Sequence, residues 1–220
     1  MEKPIEFDKT VFINCPFDTA YQPLMECIVF TVIACGFCPL SALQEQDSGT
    51  IRLDKIKRLI RLSRLGIHDI SRTDLDDVYH LPRFNMPFEL GMDIAACHYG
   101  EAFLKTKRII ILDKEQYRYQ KFISDIAGQD IVAHNNSVPE TIGKIRSWLN
   151  ARGEHGKTPL IGSKILIKKH QDFRNGLLEF CQRWGLDAHN LNFVDLICAM
   201  QSWTKSNPSR FHTASQHHPK

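Results

Sequence analysis

The stretch LPRFNMPFELGMDIA, residues 81–95, sets a lone carboxylate, Glu89, among Phe88, Leu90, Gly91 and Met92 just inside the expected start of a helix. Two roles for it are open. In one, Asn85 caps the helix, Pro87 begins it, and Glu89 offsets the positive end of the helix dipole. In the other, the same dipole keeps the carboxylate ionised at neutral pH, and Gly91 lets a substrate or a neighbouring backbone approach closely. An ionised carboxylate is what a sugar oxocarbenium requires. It stabilises the cation formed at an anomeric carbon, or traps it covalently, when the bond to a base breaks.

Such a group needs a scaffold, and the hydropathy pattern predicts one. VFINCPF (11–17) reads as a strand ending near Cys15, and AYQPLMECIVFTVIACG (20–36) as a helix closed by Gly36 in a left-handed cap. FCPLSAL (37–43), interrupted by Pro39, predicts an edge strand. IRLDKIKRLIRLSR (51–64) carries Leu53, Ile56, Leu59 and Ile60 as one apolar stripe, the mark of an amphipathic surface helix. LGIHDIS (65–71) is the third strand, a polar loop follows, and a helix is expected from about Asn85 to Tyr99. KRIIILD (107–113) reads as a buried parallel strand, YRYQKFISDIAG (117–128) as a helix capped by Gly128, QDIVAH (129–134) as the fifth strand, and VPETIGKIRSWLN (138–150) as the fifth helix. The alternation predicts an α/β fold with a doubly wound five-stranded parallel sheet over residues 1–150. Residues 151–159 read as a linker, 160–204 as a helical extension in two pieces joined near Gly185 to Asn190, and 205–220 as a disordered tail. The extension holds Leu177, Phe180, Trp184, Phe193, Leu196, Ile197 and Trp203, more than a hairpin buries alone, so it is expected to pack on the domain or mediate assembly.

In a sheet wound this way, ligands bind beyond the carboxyl ends of the strands, at the switch point between the first and third. That rule gathers Asn14, Pro16, Phe17 and Asp18 after the first strand, and Arg52 beyond the second. It adds Asp69, Ser71 and Arg72 after the third strand, and Asn85 with Glu89 before the next helix. Neither GxGxxG nor a phosphate loop ending in Gly-Lys-Ser/Thr occurs, which disfavours a Rossmann dehydrogenase or a kinase.

VFINCPFD (11–18), IHDISR (67–72) and FNMPFELGMDIAA (84–96) resemble the corresponding segments of nucleoside 2-deoxyribosyltransferase-like proteins and their TIR-domain relatives, over about residues 11–150. The resemblance implies a flavodoxin-like sheet and cleavage of an N-glycosidic bond in a nucleoside or in NAD, with NAD as substrate and no cofactor. Several bacterial members are NAD-depleting effectors in antiviral defence, which brings in a homo-oligomer or a defence-system partner protein. Glu89 matches the catalytic glutamate of these families. Asp69 matches an acidic residue that contacts sugar or base, and Asn14 and Asp18 fall in the loop that lines the pocket. The transferases carry another acid shortly before the glutamate; here Arg83 and Asn85 stand there, which counts against efficient base exchange.

Nicotinamide leaves NAD as a cationic ring turning neutral and needs no acid, whereas a purine or pyrimidine must be protonated, so one carboxylate favours NAD. Arg52 or Arg72 suits a pyrophosphate; Arg72 equally suits a bridge to Asp69 or Asp74. His68 precedes Asp69 on a strand and should face the other way, as a core or a catalytic histidine. The rival readings are a nucleoside hydrolase or 2-deoxyribosyltransferase, and a non-catalytic module that senses a nucleotide or recruits a partner.

Composition sets outer bounds. A net charge of +3 over 220 residues falls short of the positive footprint of a dedicated nucleic-acid binder, and KILIKKHQDFR (164–174) reads chiefly as a solvated helix face. Seven cysteines, an odd number, suit reduced thiols in a cytoplasm; CGFC (35–38) has redox or metal spacing but no second half. MEKPIEFDKT does not read as a signal peptide, and the apolar run Cys27–Phe37 is too short to span a bilayer, so no membrane partner is expected. His212, His217 and His218 sit in the expected tail.

Overall fold

The computed structural model describes residues 6–45, 47–75, 82–152, 160–188 and 191–208. Its β-branched runs form five parallel strands: β1 (Thr10–Asn14), β2 (Cys38–Leu40), β3 (Leu65–Asp69), β4 (Arg108–Asp113) and β5 (Val132–Ala133). Their order is β2-β1-β3-β4-β5, so the winding reverses at β1 and the fold is flavodoxin-like. Every residue of β1 and β3 is buried, because helices cover both faces; this is why these strands read as continuous apolar runs. β2 lies at the sheet edge, where Pro39 removes no ladder bond that the sheet needs.

Six α-helices complete the described residues: α1 (Gln22–Ala34), α2 (Arg52–Leu62), α3 (Asn85–Tyr99), α4 (Val138–Arg152), α5 (Ser163–Trp184) and α6 (Phe193–Ser206). On one face, α2 buries Ile56, Leu59 and Ile60 against Phe12 and Ala42. On the other, α1 is buried along its whole length from Leu24 to Ile33. The sheet covers one side of it, and α4, α5 and α6 cover the rest. Leu166, Phe173, Leu196, Ile197 and Met200 therefore belong to the same core as Val11, Ile28 and Leu112, and the helical extension packs on the domain. Gly36, at φ 83°, ends α1, with its N–H on Ile33 O and that of Phe37 on Val32 O; Gly185, at φ 66°, ends α5. No helix among the described residues is long and apolar enough to cross a membrane.

Three expectations are corrected. The helix predicted for 117–128 is two short 3-10 turns, Arg118–Lys121 and Ser124–Ile126. Tyr119, Phe122, Ile123 and Ile126 have helical spacing, yet they serve as a lid over Ile70, Leu90 and Ile111. Tyr117 enters at φ 60°, and Arg118 is held by the Asp113 carboxylate and by the carbonyls of Ile70 and Ser71, which anchors the segment before a regular helix can start. Second, α4 runs to Arg152, two residues into the expected linker. Third, α6 runs to Ser206, past the expected start of the tail. The remainder of the linker (153–159), residues 189–190 of the join, and the tail from 209 with its histidines lie outside the described residues.

Candidate functional site

Register decides which side chains meet. Asn14, the last residue of β1, pairs with His68 of β3, so both face α3, while Asp69 faces α1. The carboxyl edge of the sheet therefore carries two polar clusters, one on each face.

On the α3 face, Glu89 is buried, with its side chain 7% exposed and Oε1 3.2 Å from a guanidinium nitrogen of Arg52. Arg52 is the first residue of α2, and its side chain is 56% exposed. In the same cluster, Asn14 Nδ2 donates to Met86 O and to His68 Nδ1, each at 3.0 Å. His68 Nδ1 is thus an acceptor, and its proton sits on Nε2, 3.0 Å from Asp93 Oδ2. Asp93 lies one turn beyond Glu89, and its Oδ1 is 3.2 Å from Lys107 Nζ, which also donates to the carbonyls of Ile60 and Ser63. All four groups from Asn14 to Lys107 are buried. A β-carbon on Gly66 would come within 2.6 Å of Asp93 Oδ2, so the close approach of α3 to β3 requires glycine there. The carbonyl of Met86 fixes the orientation of the Asn14 amide, leaving its buried Oδ1 without a hydrogen-bond partner among the described residues.

Burial raises the pKa of Glu89, against the pull of Arg52. Desolvation is the largest influence on this carboxyl, and Arg52 is what chiefly favours the anion. The capping expectation changes. Phe84 occupies the N-cap position without a side-chain cap, and Asn85 is an exposed first helical residue.

On the α1 face, Asp69 has no exposed surface, and both of its oxygens are engaged. Oδ2 accepts the Tyr21 hydroxyl at 2.6 Å, and Oδ1 accepts the Ser71 N–H at 2.8 Å. His134 Nδ1 accepts the Asn136 N–H, so its proton is on Nε2, 3.0 Å from Asp69 Oδ2. Asp69 joins the end of β3 to Tyr21 at the head of α1 and lies beside His134 just after β5, where contact with a sugar or base was expected. Burial, followed by the charge of Asp69, pushes the Tyr21 hydroxyl well up. Arg72 pairs with Asp18 at 2.9 Å, and Asp18 also accepts the Tyr21 N–H. Neither of the expected acids, Asp69 and Asp74, is its partner in that contact; Asp74 meets Lys114 and Arg118. Buried Ser71, with Arg72, Tyr21, Lys114 and Asn136, lines a cavity of about 330 Å³ on this face.

Cys15 stands between the clusters, fully buried beside buried Pro16. Desolvation pushes its thiol well up, and the charges of Asp69, Glu89 and Asp18 add to the effect, so it is a neutral thiol. Exposed apolar side chains sit on the elements around Glu89: Phe17 after β1, Ile51 and Leu53 at the start of α2, and Phe84 (55%) and Phe88 (59%) at the start of α3. Among the described residues, no group of three His, Cys, Asp or Glu side chains is placed to hold a metal ion.

The structure thus brings Glu89, Arg52 and Asn14 to one face, and Asp69, Asp18, Ser71 and Arg72 to the other. Asp93, Lys107, Tyr21 and His134 were not anticipated. Asp93 had a signal in its position four residues after Glu89 on the same helix face; the other three had none, since each enters through tertiary contact alone. Compared with known protein families, with curated proteins and with solved structures, the chain matches none.

Proposed function

We propose that this chain is an N-glycosidase that hydrolyses the bond between nicotinamide and ribose in NAD, with Glu89 as its working carboxylate. One observation carries the reading: a buried carboxylate at the carboxyl edge of β1 and β3 is held by a single arginine, with exposed aromatic residues on the same helix. Anions in low-dielectric surroundings act strongly on a developing positive charge. As the C1′–N bond lengthens, its electron pair moves onto the pyridinium nitrogen, and nicotinamide leaves neutral. C1′ becomes cationic beside Glu89. Water then bonds to C1′ and one proton passes to solvent, giving ADP-ribose. Asn14, whose amide joins His68 to the Met86 carbonyl, supports the start of the helix that carries Glu89. Asp69 supports the loop that carries Ser71 and Arg72.

The test is to incubate the full chain with NAD and with several nucleosides, beside Glu89→Gln, and to separate the products. Nicotinamide and ADP-ribose are expected from NAD, with turnover falling about 10²–10³-fold in the variant, the range seen when one group stabilising transition-state charge is removed. Free base from nucleosides with NAD intact would transfer the site to a nucleoside hydrolase. Nucleotide binding without any turnover would make it a sensing module.

A further inference from the structure

We infer that Arg52 is a phosphate-operated release for Glu89, so that the site acts on ribosides bearing a phosphate or pyrophosphate and not on bare nucleosides. The inference rests on Glu89 being the working carboxylate. Its contact with Arg52 is a single one, 3.2 Å from one guanidinium nitrogen to one carboxylate oxygen. The Arg52 side chain is more than half exposed while that of Glu89 is buried, so the arginine is the half of the pair with room to move. In the paired state the positive charge of Arg52 lies against the oxygen that must face a cationic C1′, and the two charges compete for it. A pyrophosphate is the stronger partner here, because it can accept two parallel hydrogen bonds where Glu89 accepts one, and it carries more charge. Ile51 gives α2 no side-chain cap, so the amides of its first turn add to the attraction for an anion brought to Arg52, while the exposed carboxylate of Asp54 in the same turn opposes it. A phosphorylated substrate therefore draws Arg52 off and uncovers Glu89, whereas a nucleoside has nothing to exchange for the carboxylate.

Linkage makes the competition measurable without catalysis: if Glu89 and phosphate share Arg52, removing the charge of Glu89 must strengthen phosphate binding. The experiment is calorimetric titration of the full chain with inorganic pyrophosphate, using wild type, Glu89→Gln, Arg52→Met and the double variant, each first shown to melt cooperatively. Glu89→Gln should bind pyrophosphate at least about 5-fold more tightly than wild type, the lower end of ordinary coupling between sites. Arg52→Met should lose most of the affinity, and the double variant should match it. Equal or weaker binding by Glu89→Gln, no detectable binding by that variant, or an unaffected Arg52→Met overturns the inference. NAD turnover is scored separately. Cleavage of NAD without the gain in pyrophosphate affinity keeps the glycosidase reading and discards the release; the gain without cleavage does the reverse.

Discussion

Glu89 is pulled in two directions, by a buried position that favours its neutral form and by an arginine that favours its anion. Because the raising influence is larger, activity that needs the anion should rise with pH along a limb lying above the ordinary glutamate range. Arg52→Met removes the main lowering influence and should move that limb to higher pH in a kcat/KM profile, which reports the free enzyme where the two side chains are paired; a limb that stays put would separate Glu89 from catalysis. Stability has the opposite sense. A carboxyl whose folded pKa is raised binds its proton more tightly when folded, so stability is greatest below the unfolded pKa and declines as pH rises through the folded value. At neutral pH the ionised side chain thus costs stability, and Glu89→Gln should melt higher in calorimetry, by about 2–4 °C for each kcal/mol recovered in a chain of this size. At pH 4 the gap should close. The position of Glu89 was legible in the sequence; its burial was not, since the dipole argument sees one helix and desolvation comes from β1, β3 and α2 around it. At CGFC, whose spacing lacked a second half, burial pushes the Cys35 thiol up to about 12 and leaves little thiolate for redox or metal chemistry.

Between elements, α3 is fixed to the sheet by charge as well as by apolar packing. Asp93 meets His68 on β3 and Lys107 at the foot of β4, with both members of the Asp93–Lys107 pair fully buried. Removing one partner of such a pair strands the other charge, whereas removing both does not. Lys107→Met should therefore cost about 3–5 kcal/mol in chemical denaturation. Asp93→Asn added to it should restore most of that loss, and equal instability of single and double variants would show that the lysine matters only for its packing. The periodicities of β1, β3, β4 and α2 were legible because each element has one dominant environment. The segment 117–128 was misread because a lid over Ile70 and Ile111 demands the same apolar spacing as a helix, while what prevents the helix, the anchoring of Arg118 by Asp113 and two carbonyls, belongs to distant strands.

At the scale of the whole molecule, α1 is buried almost all round rather than on one stripe. A helix with one face on a sheet and the other in water would not be so; it must be covered twice. The cover is α4 together with α5 and α6, the last two through the aromatic contacts of Phe30 with Phe173 at 5.5 Å and with Trp203 at 5.8 Å. Buried Glu26 lies 3.6 Å from His170 and 3.5 Å from Arg174, both of α5. The apolar excess of residues 160–203 was legible and its partner was not, because composition shows how much must be buried and not against what. The α/β portion is accordingly expected to fail by itself. A chain ended at Arg152 would leave the face of α1 bared, and would lose the burial of Leu166, Phe173, Phe193, Leu196, Ile197 and Met200. It should give no cooperative melt and should bind an apolar dye or aggregate on sizing. A soluble monomer of residues 1–152 melting at the temperature of the full chain would mean that α5 and α6 are carried by the domain without supporting it.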